Sequence, residues 1–320
     1  MRKLLPLALL ALTTLPAHAQ GVAWVTSEKD DAITLIDMDK LAVIGVVPTC
    51  KRPRHIAVLP GGKRLMTACG DSHQGDVIDI ATRKSVARVP MGDDPEAFSL
   101  SPDGKLMYVS SEEEGELLVL EAATGKQVRA VKVGEEPEGV LAAPDGKTVW
   151  VTSEVANLVH VVDPVAGKVA KNVAVGQRPR RFALTPDGQQ LWVTNELGAS
   201  VTVLATKDYR TLATIPFALK GMRATDITPV GITMTRDGKT AFVALGQANH
   251  VAFVDVATRK VTQQVLVGKR AWNVHLNKGE DRLWVINGLS DDVTVVDVKA
   301  AKALKSIPVG RVPYGAVLVE

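Results

Sequence analysis

Aromatic side chains make up only 4 % of this 320-residue chain, and it holds just two cysteines. With so few rings, packing falls to Val, Leu, Ile and Ala, residues that suit pleated, half-buried surfaces. The cysteines, Cys50 and Cys69, form no Cys-x-x-Cys, which excludes a dithiol redox motif and haem attachment through Cys-x-x-Cys-His. Gly-x-Ser-x-Gly is absent, so a strained nucleophile turn has no footing. A glycine-rich phosphate loop is missing too, since Pro60-Gly61-Gly62-Lys63 sits where a turn recurs. The six histidines show neither His-x-His nor Glu-x-x-His spacing. His55, His73, His160 and His250 therefore read as satisfied strand or loop side chains, and no metal site is predicted.

Long apolar runs are lacking except at the start. Leu4 to Leu15 is apolar apart from Pro6, Thr13 and Thr14, follows Arg2 and Lys3, and precedes Ala17-His18-Ala19. It falls short of the roughly 20 residues that span a bilayer. Residues 1–19 read as a signal peptide cleaved after Ala19, with residues 20–320 as the mature domain and the periplasm of a Gram-negative host as its location. Cleavage takes the net charge from +3 to +1, too little for a general pull on nucleic acid or membrane.

What is present is a repeat. A large side chain followed by Val-Thr-Ser/Asn or a close variant recurs at Trp24, Met66, Tyr108, Trp150, Trp192, Phe242 and Trp284, in steps of 42 with one of 50. Thirteen residues later stand Asp37, Asp79, Glu121, Asp163, Ala205, Asp255 and Asp297. The proline of Val-Gly-x-x-Pro keeps the same register at Pro53, Pro95, Pro137, Pro179, Pro229 and Pro313, with Ala271 in the sixth place. Asp-Gly turns at 103–104, 145–146, 187–188 and 237–238 complete the pattern. The long step places an eight-residue insertion around Lys220 to Thr225.

Each repeat holds four short apolar runs, for example Arg181–Leu184, Leu191–Thr194, Ser200–Leu204 and Thr211–Ile215. Asp-Gly between runs is a hairpin signal, because both residues accept the positive φ of a tight turn. The predicted fold is all-β: a seven-bladed propeller of four-stranded antiparallel blades. Tyr314–Val319 is expected to pair with Ala23–Ser27 in one shared blade, removing the open edges of an unclosed stack.

The run Trp192-Val193-Thr194-Asn195, with the Pro-Asp-Gly and Val-Gly-x-x-Pro elements around it, resembles the YVTN family of β-propeller repeats. The Leu-Trp-Val-Thr-Asn-Glu run at 191–196 and Arg-Ala-Trp at 270–272 resemble the exported propellers associated with catabolism dependent on pyrroloquinoline quinone (PQQ). That resemblance implies a non-catalytic binding or scaffold protein beside quinoprotein alcohol oxidation and an ABC-type transport system. It does not imply PQQ binding, and no cofactor is predicted. No catalytic residues carry over from it.

In a propeller the loops that lead into the inner strands meet at the mouth of the central channel. The residues flanking the marker proline are Arg52/Arg54, Asp94/Glu96, Glu136/Glu138, Arg178/Arg180, Thr228/Val230, Arg270/Trp272 and Val312/Tyr314. With His55 beside them, they outline a polarised rim: guanidinium forks for carboxylate or phosphate, a carboxylate patch and two aromatic walls. Such a rim suits a small anionic or zwitterionic ligand, or a charged loop of a quinoprotein or transport partner. The alternative is that the charges neutralise one another across adjacent blades. The acidic run Glu112-Glu113-Glu114 reads as a solvated loop. Cys50 and Cys69 are a candidate disulfide of an oxidising compartment, although the register leaves them a few residues out of step. Two further functions stay open: a metal-dependent, lactonase-like hydrolase or quinoprotein-type enzyme, and single-stranded nucleic-acid binding by Arg52, Arg54, Arg178, Arg180, Arg270 and Arg311 with Trp272 and Tyr314. The acidic blades argue against the last.

Overall fold

The computed structural model describes residues 21–320, so the leader expected over residues 1–19 lies outside the described residues. Among those described, 28 strands form seven four-stranded antiparallel sheets. The chain is a seven-bladed β-propeller, as its repeat predicts. No helix among the described residues is long and apolar enough to cross a membrane.

Blade 1 contains both chain ends, in the order Pro313–Val319, Val22–Ser27, Ala32–Asp37 and Ala42–Pro48. The closing pair is antiparallel, with Val22 opposite Val319 and Trp24 opposite Val317. Blades 2 to 7 follow as residues 53–90, 95–132, 137–174, 179–216, 232–266 and 271–308. The insertion lies in the connection from blade 5 to blade 6, which carries a short 3-10 turn at Ala224–Asp226.

Local chemistry explains the recurring elements. In the Pro-Asp-Gly turn of blade 5, Asp187 Oδ1 accepts the Thr185 hydroxyl at 2.6 Å and the Gln189 N–H at 3.0 Å. Gly188 supplies the φ of 69°. The large marker residues fill the gaps between blades: Trp24, Met66, Tyr108, Trp192, Phe242 and Trp284 are among the largest fully buried side chains. Trp192, Val201 and Val203 of blade 5 pack with Ala241, Val243 and Val254 of blade 6. Both faces of a blade are apolar because each is sandwiched between neighbours.

The feature that builds the channel is a bulge just after the marker proline. In blade 4, Pro137 pairs with Ser153 but Val140 pairs with Val151, so one residue is extra; blades 2, 3 and 5 repeat this. The motif threonine, or a serine in its place, clamps the bulge. Thr152 Oγ1 accepts the Gly139 N–H at 2.7 Å and donates to the Arg180 carbonyl of the next blade at 3.0 Å. Thr26, Ser110 and Thr194 make the same double link for Gly315 and Arg54, Ala97 and Glu138, and Arg181 and Val230. The threonine of the Val-Thr-Ser/Asn motif is thus the joint that aims the inner strand of the next blade into the channel.

Candidate functional site

The two residues flanking each marker proline take different places. Those before it turn at the mouth, with positive φ at Arg52, Asp94, Glu136, Arg178, Arg270 and Val312. For Arg52, Arg178, Arg270 and Val312 the turn is held by a side-chain oxygen of Asp31, Asn157, Asn249 or Asp291, at 2.8–2.9 Å from the backbone N–H. His73 holds the Asp94 N–H in the same way at 3.2 Å, which gives that histidine a structural task. The residues after the proline point inward. Glu96, Glu138, Arg180, Trp272 and Tyr314 are buried, and Arg54 nearly so. The expectation that all of these line an exposed rim is corrected: the bulge turns the second set into the channel.

Across blades 2 to 5 these charges form a paired lattice. Arg52 bonds Asp94, lies 3.4 Å from Glu96 and 3.0 Å from Asp71. Arg54 bonds Glu96 and reaches Glu28 at 3.0 Å. Arg178 contacts Glu154 at 2.6 Å, Glu196 at 3.0 Å and Glu136 at 3.9 Å. Arg180 bonds Glu154 and lies 3.4 Å from Glu138. The guanidinium forks of Arg52, Arg178 and Arg180 are therefore occupied by the protein's own carboxylates. Buried charges demand such partners.

Five members of this lattice escape a reading centred on the proline: Glu28, Asp71, Glu154, Glu196 and Arg181. The three glutamates directly follow the Thr-Ser/Asn of the large-residue motif, and Glu112 follows its variant Ser110-Ser111, so the signal was there in the repeat register. Glu112, expected to be solvated loop, is half-buried at the mouth, and burial raises its pKa. Arg181 follows Arg180, in the bulge, and crosses the channel. It reaches Glu138 Oε1 at 2.6 Å and donates to the Tyr314 hydroxyl, which donates to Glu138 at 2.8 Å.

The titration of these groups follows their surroundings. Burial would raise Glu138, but Arg180, Arg181 and Arg54 outweigh it and bring the carboxyl down to about 2. Glu154 goes the other way, to about 8, because burial and the nearby Glu138 and Glu196 exceed the pull of Arg180 and Arg178. Burial pushes Tyr314 up to about 12. His55, edge-on to Phe98 with ring centres 4.7 Å apart, is lowered to about 3 by burial and by Arg181. His275 falls to about 4 through burial.

The arc from blade 7 to blade 1 is different. A pocket of about 180 Å³ opens there, lined by Glu28, Arg54, Arg270, Trp272, Gly288, Leu289, Val312, Pro313 and Tyr314. Arg270 is half-buried and, among the described residues, makes no ion pair. It rests on the Trp272 ring, 4.3 Å from the centroid, while Arg180 covers the same ring at 5.0 Å. Tyr314 lies between Arg54 at 4.9 Å and Arg181 at 5.6 Å. Both rings are thus already stacked by arginines, which corrects the expectation of an open platform for nucleic-acid bases.

A metal-dependent reaction finds poor ground. Among the described residues, oxygens of Asp94, Glu96 and Glu112 converge within 4.8 Å. Guanidinium nitrogens of Arg52 and Arg54 already bond two of the three, so the cation at that place is arginine.

Cys50 and Cys69 are joined, with Cα atoms 5.8 Å apart. The apparent offset in register has a physical answer. In five of the other six repeats the Cys50 position is glycine and the Cys69 position is Ser or Asn, blade 6 having Asp226 and Leu245, and the two abut. A Cβ on Gly134 would lie 2.9 Å from Ser153 Oγ, and one on Gly176 would lie 2.6 Å from Asn195. In blade 2 a covalent bond takes the place of that contact.

The family model described as a seven-bladed β-propeller lactonase matches residues 143–308. No curated protein matches the chain. Among solved structures, a periplasmic gluconolactonase of Pseudomonas aeruginosa, PpgL, is similar with a TM-score of 0.79 at 21 % identity, covering 94 % of this chain and 99 % of that one. Hydrazine synthase of Kuenenia stuttgartiensis aligns with a TM-score of 0.77 at 22 % identity, over 86 % of this chain and 92 % of the other. The dihydro-heme d1 dehydrogenase NirN gives 0.70 at 16 % identity, over 96 % and 78 %. At these identities the solved structures attest the fold alone.

Proposed function

Because the chain belongs to the seven-bladed β-propeller lactonase family, we propose that it hydrolyses a lactone in the pocket between blades 7 and 1. One observation carries this reading: Glu28, Arg54 and Arg270 gather in a pocket walled by Leu289, Pro313 and aromatic rings. Opening a ring ester requires that water lose a proton as it attacks the carbonyl carbon. The carbonyl oxygen then carries negative charge, and the ring oxygen departs as a hydroxyl. Glu28 is the carboxylate that takes the water proton and returns it to the ring oxygen. Arg54, whose Nε lies 3.0 Å from Glu28 Oε1, orients that carboxylate. A guanidinium facing the carbonyl offsets the charge on its oxygen. The scheme calls on no metal, in keeping with the arginine-paired carboxylates at the acidic side of the mouth.

The leader-like residues 1–19 and the Cys50–Cys69 bond support a periplasmic location for this activity. The test is proton release from sugar-acid lactones, followed with a pH indicator. The expected result is opening at least tenfold faster than in buffer, lost in Glu28→Gln with the melting temperature retained. Lactones opening no faster than in buffer would overturn the proposal.

A second reading keeps the non-catalytic binding role beside PQQ-dependent alcohol oxidation and transport. It is supported by the resemblance at residues 191–196 and 270–272 and by the full pairing of Arg52, Arg178 and Arg180, which leaves Arg270 as the rim arginine open to an anionic ligand. Saturable binding without turnover in the same assay favours it. The two readings are chemically compatible, since oxidation of a cyclic hemiacetal yields a lactone.

A further inference from the structure

The propeller carries its own control for Arg270. In blade 5, Arg178 bonds Glu196, eighteen residues on, with Nε 3.0 Å from Oε2. The residue eighteen after Arg270 is Gly288. The repeat places glutamate at the equivalent of Gly288 in four blades, as Glu28, Glu112, Glu154 and Glu196. Gly288 is not demanded by backbone geometry: its φ lies outside the left-handed range, and a Cβ there would meet only the Pro313 and Arg270 carbonyls, at 3.5 and 3.9 Å. A side chain at this place would point at the same pocket that Arg270 lines. Arg52, which also faces a glycine at the corresponding position, Gly70, recruits Asp71 and Asp94 instead. Arg270 has no such substitute among the described residues. Burial and the nearby Arg180 work against its charge and outweigh the help of Glu196 and Glu28, whereas carboxylates more than offset the burial of Arg54 and Arg180, so an arriving anion relieves an uncompensated cost.

We infer that Arg270 and Gly288 form a carboxylate receptor, in which a carboxylate of the ligand occupies the place that Glu196 fills against Arg178. The planar fork of Arg270 suits a two-oxygen acceptor. The volume left by the missing side chain is that of a short acid arm, so the ligand is a small organic acid whose remainder lies toward Trp272 and Tyr314. This inference rests on the pocket assigned above to lactone hydrolysis. Two sources give the same chemistry: the open hydroxy acid that hydrolysis produces, or a lactone that bears a separate carboxylate.

Isothermal titration calorimetry on the full-length mature protein tests it, with three probes: gluconate, the monolactone of glucaric acid, and a neutral gluconolactone in its slowly hydrolysing five-membered form. The wild type is expected to bind at least one carboxylate probe ten times more tightly than the neutral lactone. Tighter gluconate identifies the product as the source, and tighter glucaric monolactone identifies the substrate. Arg270→Gln should cost that probe at least tenfold. Gly288→Glu supplies the internal carboxylate and should cost at least tenfold more than Gly288→Gln, which adds the same bulk without charge. Equal losses in the two Gly288 variants, or a neutral lactone bound as tightly as the acids, overturn the receptor. Should either Gly288 variant fail to fold, the Arg270→Gln result and the probe ranking decide. Lactone hydrolysis without carboxylate preference sinks the receptor and spares the proposed activity. Carboxylate binding without hydrolysis does the reverse.

Discussion

Two arcs of one channel, built from the same repeat, have opposite electrostatic states. From blade 2 to blade 5 every inward or mouth-facing arginine meets a carboxylate, and Glu138, Glu154 and Glu196 close around Arg180. From blade 7 to blade 1 the repeat gives Gly288 where it gives Glu196 elsewhere, and Arg270 is left stacked on Trp272 with a pocket in front of it. The paired arc is structural in character, since its charges are spent on each other. The vacant arc is where a ligand completes what the chain leaves unfinished.

The strongest way to break this contrast is to remove the strand that closes the vacant arc. Deleting residues 314–320 takes away the inner strand of blade 1, together with the buried Tyr314. It should abolish the cooperative thermal transition followed by circular dichroism. An unchanged melting temperature would mean that closure does not depend on that pairing.

A smaller effect separates the arcs directly. Arg180→Ala leaves Glu138 and Glu154 buried without their main partner and should cost about 3–5 kcal/mol in urea unfolding. Arg270→Ala breaks no ion pair among the described residues and should cost no more than about 1 kcal/mol, the scale of one stacked cation. Comparable losses for the two would erase the distinction between the paired and vacant arcs.

The smallest effect is in pH. Glu138 is lowered to about 2 when folded, against an ordinary value of 4.5, so its contribution is fully present above 4.5 and is lost as pH falls towards 2. Glu154 is raised to about 8, so its contribution is full below 4.5 and declines as pH rises through 8. Both Glu138→Gln and Glu154→Gln should therefore melt with the wild type in strong acid and part from it in opposite directions as pH rises, Glu138→Gln becoming less stable than the wild type above 4.5 and Glu154→Gln gaining on it as pH rises through 8. Parallel curves for both would show that neither carboxyl titrates differently from its unfolded form.

Much of the fold was legible because a repeat of 42 residues states its own boundaries. The marker proline and the Asp-Gly turn fix local backbone, and the shared blade follows from where the chain starts and stops within the period. The candidate residues beside the proline were legible too. Their burial was not, because a bulge of one residue turns Arg54, Glu96, Glu138 and Arg180 from rim to interior, and bulges leave no mark in an apolar pattern. The role of Glu154 was hidden for a related reason: it sits in the turn after the second strand of blade 4, and only the ring brings it against Arg178 and Arg180 of blade 5, whereas Glu196 meets Arg178 within blade 5.

Sequence by itself determined the number of blades, their register and the meeting of the chain ends, since these follow from periodicity and local turn chemistry. Tertiary structure alone decided the pairs that join one blade to the next, such as Arg54 with Glu96 and Arg180 with Glu154, because these depend on distances that no single repeat contains. It also decided that Cys50 and Cys69 meet, through a contact that other blades make between glycine and Ser or Asn. And it decided that Arg270 stacks on Trp272 and meets no carboxylate among the described residues, since its neighbours are set by the closing of the ring as well as by Gly288.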